Sequence, residues 1–207
     1  MSADLTLIND LIASFPELSA YDVLLFERYY RLILKWNDRL HLTTITRPKA
    51  FVERHLGESI FTGNRILPLV DEFWDIGSGA GLPGIPIAIL RPEMEVLLVE
   101  SDRKKVLFLE EVAAALELGR VRVINARFET IDAFSPQACL AARAVEKMER
   151  VVRDILRKGT GVTQILILGG AGLVVTAKPG WRLVRHPMPN STNRWLFELV
   201  RWSAEKE

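Results

Sequence analysis

Glu72-Phe-Trp-Asp75-Ile-Gly77-Ser-Gly79-Ala-Gly81-Leu82-Pro-Gly84 reads as a short strand running straight into glycines. Glycines there let the backbone turn sharply and approach a ligand closely, with the N–H groups of the next helix facing it. Two cofactor classes use such a turn. A dinucleotide site needs G-x-G-x-x-G/A, and counted from Gly77 the third position falls on Leu82, which does not fit. The spacing is instead acidic-x-Gly-x-Gly-x-Gly, that of S-adenosylmethionine sites. That cofactor has no pyrophosphate to cradle and carries a zwitterionic methionine tail. Asp75 is therefore expected near its amino group, with Gly77, Gly79, Gly81 and Leu82 along the turn.

Upstream of the turn the chain reads as helical. Residues 4–15 carry an amphipathic pattern (Leu5, Ile8, Leu11, Ile12, Phe15) that stops near Pro16. Ser19 with Asp22 three residues on is a capping box opening a longer helix, whose stripe is Leu25, Tyr29, Leu32 and Trp36. A third helix is expected over about 48–66. Downstream, strands and helices alternate. A helix over about 83–91 leads to a strand at Met94–Glu100, and Ser101-Asp102 cap a helix ending at Gly119. Val121–Asn125 is the third strand, Cys139–Val145 contains the fourth, and 146–158 repeat a helical pattern. Gly172–Ala177 is expected as the fifth strand, with 181–187 and 195–202 as a closing antiparallel pair. This order predicts an α/β fold, a class I Rossmann-like methyltransferase domain with a doubly wound, mostly parallel, seven-stranded sheet. The expected division is a helical cap over 1–68 and a cofactor-binding domain over 69–207.

Glu100 closes the second strand nineteen residues after Gly81, where a carboxylate can accept both ribose hydroxyls of an adenosine. Phe128 and Glu129 follow the third strand, where the chain passes the adenine; Phe128 either packs on that ring or belongs to the core. Arg143 ends the fourth strand, the side on which open α/β sheets place ligands. A guanidinium in an apolar strand requires a partner. The candidates are the cofactor carboxylate, a backbone carbonyl, an RNA phosphate, or a structural carboxylate such as Glu146 or Asp75.

Composition narrows the chemistry. The 207 residues are 49% hydrophobic and 26% charged, the balance of an ordinary globular chain. Cys139 is the only cysteine and the three histidines are far apart, so neither a disulfide nor a zinc site is expected. The opening MSADLTLIND has no basic start or apolar core of a signal peptide, and the apolar run over 165–177 is too short to span a bilayer. A cytoplasmic monomer without metal or membrane is the expectation. Net charge is +1, yet residues 118–201 carry fourteen basic and six acidic side chains. A globally neutral chain can still present a basic face to a polyanion.

Several methyl-transfer chemistries are excluded. No Pro-Cys pair is present to attack a pyrimidine ring, and no Asn/Asp-Pro-Pro-aromatic tetrapeptide to grip an exocyclic amine. Nucleophiles that need no covalent help remain. Guanine N7 carries a lone pair and no proton, so its methylation needs alignment and water exclusion rather than a base.

Three further stretches carry a resemblance: Trp36-Asn37-Asp-Arg-Leu-His41-Leu-Thr43, Arg54-His55-Leu-Gly-Glu58-Ser59, and Val99-Glu-Ser-Asp-Arg-Lys-Lys-Val-Leu-Phe-Leu. Together with the glycine turn, Ala126-Arg-Phe-Glu129 and Ala142-Arg143-Ala144, the chain over about 20–145 resembles the RsmG (GidB) family. That family makes 7-methylguanosine in the 530 loop of 16S rRNA. The resemblance implies S-adenosyl-L-methionine as cofactor and 16S rRNA or the small ribosomal subunit as partner. It places Gly77, Leu82, Phe128, Glu129 and Arg143 at the cofactor, and brings Arg54 and His55 from the cap to the cofactor or substrate side; these two and Lys178 are the expected substrate-binding residues. The chain departs from the family pattern at His41 (usually Asn), Glu58 (usually Asp) and Pro179. The residues alone leave open a methyltransferase of a small molecule or protein, or a non-catalytic S-adenosylmethionine-binding module in ribosome assembly.

Overall fold

The computed structural model describes residues 4–143 and 148–202. Its sheet has seven strands in the order β3-β2-β1-β4-β5-β7-β6. β1 (Glu72–Ile76), β2 (Glu95–Glu100), β3 (Val121–Asn125), β4 (Ala138–Arg143) and β5 (Gln164–Gly170) run parallel. β6 (Trp181–Pro187) and β7 (Arg194–Arg201) close the edge antiparallel, with β7 between β5 and β6. The expected α/β class holds, as does the closing pair.

Residues alternate across the sheet as the pleat requires. Phe73, Val96, Leu98, Cys139, Ala141, Leu166 and Leu168 face one core, shared with the cap. Trp74, Leu97, Val99, Leu140, Ala142, Ile165 and Ile167 face the other, with α7 (Met148–Lys158). Burial on both faces explains why the central strands read as unbroken apolar runs.

The cap is α1 (Leu5–Ser14), α2 (Ala20–Leu40), α3 (Pro48–Ala50), a π-helical stretch Phe51–Leu56 and α4 (Gly57–Gly63). Both halves of the Ser19–Asp22 capping box form, with Asp22 N–H donating to Ser19 Oγ and Ser19 N–H donating to Asp22 Oδ2. α2 ends with His41 in the left-handed region, φ 47°. Asn takes that conformation more readily than His. α5 (Gly84–Leu90) and α6 (Arg103–Ala115) return the chain between strands. α6 is capped by Asp102 as expected, but stops at Ala115 rather than Gly119.

One strand was misplaced. The fifth is Gln164–Gly170, not Gly172–Ala177, which has no strand structure. Ile165-Leu-Ile-Leu168 supply the buried run, and Gln164, fully buried, satisfies its amide at the strand's start. Its Nε2 donates to Arg65 O and Glu198 Oε1, both at 2.7 Å, and its Oε1 accepts from Leu67 N–H at 3.1 Å. The fourth strand ends at Arg143. Ala144 and Val145, expected at the end of that strand, and Glu146, a candidate partner of Arg143, lie outside the described residues.

Candidate active site

The carboxyl ends of β1 to β4 open into a cavity of about 890 Å³, with the cap as its far wall. It lies where the sheet order reverses between β1 and β4, the usual ligand position in doubly wound folds. Gly77, Gly79 and Leu82 line it from the turn, and Glu100, Phe128 and Glu129 from the ends of β2 and β3. Arg143 closes the floor, while Arg54 and His55 come down from the cap.

The glycine turn divides by role. Gly79 has φ 56°, and a Cβ there would meet nothing closer than Gly77 O at 3.8 Å, so the position faces open space. Gly81, with φ 84°, faces inward: a Cβ would stand 2.6 Å from Ile85 Cγ1 and 3.1 Å from Leu109 Cδ2. Gly81 is therefore a packing residue and does not line the cavity, contrary to the sequence expectation.

Asp75 is also set behind the turn. It is fully buried, accepts from Gly84 N–H through Oδ2 at 3.1 Å, and does not line the cavity. Oδ1 has no hydrogen-bond partner among the described residues. Burial pushes its pKa up to about 7, against the lowering effects of Gly84 N–H and Arg143. Glu100 is ready for hydroxyl donors. Oε2 accepts from Gly79 N–H at 2.9 Å and Oε1 from Asp102 N–H at 2.8 Å, fixing the carboxylate with a lone pair spare on each oxygen. Phe128 belongs to the core, where it stacks on Phe134 with centroids 5.9 Å apart, and also borders the cavity.

Arg143 finds a partner that sequence reading missed. Its Nε and Nη2 donate to Glu58 Oε2 at 3.2 and 2.9 Å, and Nη2 lies 2.9 Å from His55 Nδ1. Glu58 is fully buried and also takes Arg194, from Nε to Oε1 at 2.6 Å and from Nη2 to Oε2 at 2.9 Å. Arg54 stands 3.5 Å from Oε1. One buried carboxylate thus gathers three guanidiniums from the cap, β4 and β7. In the sequence Glu58 stands out only as a departure from a family pattern, and Arg194 carries no local signal. Lys178 lies elsewhere: its Nζ donates to Leu156 O at 2.7 Å near the end of α7 and does not reach the cavity. A lysine completing a helix's last carbonyls is a structural cap.

His41, Asp102 and Glu129 also line the cavity. His55 is held neutral, its pKa lowered to about 3 by burial first and then by Arg143, Arg54 and Arg194. The oxygens of Glu58 are held by arginines and those of Glu100 by backbone N–H groups. Among the described residues no cluster of His, Cys, Asp and Glu could hold a metal, and no helix is long and apolar enough to cross a membrane.

The chain is similar to known proteins. The putative methyltransferase yhhF from Escherichia coli superposes with a TM-score of 0.56 at 20% identity, over 72% of this chain and 87% of that one, which shows a shared fold. The ribosomal RNA small subunit methyltransferase G of Nitrosomonas eutropha is 39% identical over 61% of this chain and 58% of its own length. That of Xanthomonas campestris pv. campestris is 34% identical over 78% of this chain and 77% of its own. Residues 23–174, which run from α2 past β5 and include the glycine turn, Glu58, Glu100 and Arg143, match the family described as GidB, rRNA small subunit methyltransferase G, and this chain belongs to it.

Proposed function

We propose that the chain is an S-adenosylmethionine-dependent methyltransferase acting on guanine N7 in the 530 loop of 16S rRNA, with residues 1–68 as cap and 69–207 as cofactor-binding domain. The cavity suits the cofactor: Gly79 leaves room for it, and Glu100 presents an oriented carboxylate for ribose hydroxyls. Phe128 offers an apolar face at the cavity edge for adenine, and Arg143 from the floor and Arg54 from the cap offer positive charge for a carboxylate. When bound, S-adenosylmethionine supplies a methyl group activated on a sulfonium sulfur.

The observation that carries the reading is the site itself: an open glycine turn at Gly79 beside an oriented Glu100 carboxylate with spare lone pairs, in a chain of the rRNA small subunit methyltransferase G family. His55, which enters from the cap, is neutral with both ring nitrogens engaged, and the buried carboxylate of Glu58 is taken up by arginines. Such a setting suits a nucleophile that presents a lone pair without a proton, as guanine N7 does, and asks no general base of these residues. What the residues contribute is position: a rigid turn, an oriented carboxylate and an arginine cluster that excludes water while holding the cap against the sheet. Small ribosomal subunits lacking the modification, incubated with methyl-labelled cofactor and digested for mass mapping, should gain one methyl on a guanine N7. Label on an exocyclic amine, a ribose or protein would overturn the reading.

A further inference from the structure

Thr43 meets the cavity from the loop after α2, and its hydroxyl is more constrained than a surface threonine's. Oγ1 accepts from Ile45 N–H at 3.0 Å and lies 2.6 Å from His55 Nε2. The other nitrogen of that ring, Nδ1, is 2.9 Å from Arg143 Nη2. A guanidinium nitrogen has only hydrogens to give, so Nδ1 must hold a lone pair. The ring is neutral in its buried setting among three arginines, so its one proton is on Nε2. That proton goes to Thr43 Oγ1.

Both lone pairs of the hydroxyl are then occupied, one by a backbone N–H and one by the imidazole. Its own hydrogen is what it has left, and no acceptor for it is found among the described residues. The residue cannot easily swing away. Asn37 clamps its backbone on both sides, accepting from Thr43 N–H at 2.8 Å and donating to Thr43 O at 2.9 Å. Thr43 lines the same cavity as Gly79 and Glu100.

We infer that the Thr43 hydroxyl is an obligate hydrogen-bond donor that reads the O6 carbonyl of the target base and so selects guanine over adenine. Beside N7, guanine presents an acceptor at O6 and adenine an amino group that only donates. A hydroxyl free to rotate could serve either base; one fixed as a donor serves only the carbonyl. Arg143 acts here at one remove. By holding Nδ1 as an acceptor it sets the ring's tautomer, and the ring sets the direction of the hydroxyl. This rests on the guanine N7 reading above and deepens it.

The test crosses two changes in the full chain on reconstituted small subunits: Thr43→Val, which keeps the shape without the hydroxyl, and 2-aminopurine, which is guanine without O6. Removing O6 also alters N7 itself, so the informative quantity is the ratio of kcat/KM on guanine to that on 2-aminopurine, compared between proteins. That ratio should fall at least about tenfold in Thr43→Val, the scale of one well-placed base contact. Thr43→Ser should restore it, and cofactor binding by calorimetry should be unchanged in both variants. An equal ratio in wild type and Thr43→Val would overturn the inference while N7 methylation by the wild type still stood. Methylation mapped away from guanine N7 in the wild type would overturn the underlying reading, and this one with it. If Thr43→Val does not fold, Thr43→Ala gives the same comparison. An unchanged ratio in Thr43→Ala would then count against O6 recognition.

Discussion

The phenol of Tyr29, on the cap's second helix, donates to the carbonyl of Ala80 in the glycine turn at 2.6 Å. Tyr29 is fully buried, and burial, with Asp75 adding to it, raises its pKa well above the usual phenol range, so it stays a donor. The turn is therefore held from both sides, by the cap through Tyr29 and by β2 through Glu100. Tyr29→Phe leaves the Ala80 carbonyl without that donor. It should lower stability by about 1–2 kcal/mol in denaturant unfolding and weaken cofactor binding. Unchanged values of both would show that the turn is rigid without the cap.

The two glycines of the turn should separate binding from folding. Gly79→Val projects a branched side chain into the cavity and should abolish cofactor binding by calorimetry, with a smaller loss of thermal stability. Gly81→Ala drives a methyl against Ile85 and Leu109 at a positive φ and should mainly lower the melting temperature. Intact cofactor affinity in Gly79→Val would remove the turn from the binding site.

Arg143→Ala should lower methyl transfer at least about tenfold, roughly 1.4 kcal/mol in barrier. Melting should shift only a few degrees, because Arg194 still binds both oxygens of Glu58. Glu58→Ala is the contrasting case. It strands the buried Arg143 and the partly buried Arg194 beside Arg54 without a counter-charge, and should cost about 3–5 kcal/mol. Parallel losses of stability in the two variants would contradict this division.

Asp75 predicts a pH dependence whose sign follows from its raised pKa. The folded state holds the proton more tightly than the unfolded chain, so the stabilising contribution is complete below about pH 3.8. It declines as pH rises and is lost through about 7. Asp75→Asn still offers an oxygen to Gly84 N–H but cannot titrate. Its melting temperature should fall less than the wild type's between pH 4 and 7, and identical slopes would count against the assignment.

RNA engagement should be salt-sensitive and depend on α7. Arg150, Arg153 and Arg157 are exposed on one face of that helix, partly offset by Glu129 and Asp154. Replacing all three with Ala should weaken subunit binding and flatten its log-log salt dependence. A wild-type affinity insensitive to salt would rule this face out.

The sequence was legible where the signal is local. The Ser19–Asp22 box, the turn from Gly77 and the bounds of β3 each follow from residues a few positions apart, and all appear as expected. β5 was misplaced because an apolar run followed by glycines has no internal mark of where pairing stops. Gly81 and Asp75 sit in the expected motif but face the other way, since spacing does not reveal which side of a turn a side chain takes. The arginine cluster was not legible at all. Arg143 and Arg194 reach Glu58 from 85 and 136 positions away, and only the folded sheet brings them together.

That separation has a consequence for how the protein acquires its site during synthesis. Glu58 is made early and Arg194 late, yet Glu58 is buried with no exposure and tied to Arg194 at 2.6 Å. Until β7 threads in beside β5, the carboxylate lacks one of its close counter-charges, and a pocket around it is unfavourable. A nascent chain lacking β7 should therefore keep the cap loose on the sheet. Cofactor-binding competence then arrives late, with a strand on the far side of the sheet order from the glycine turn.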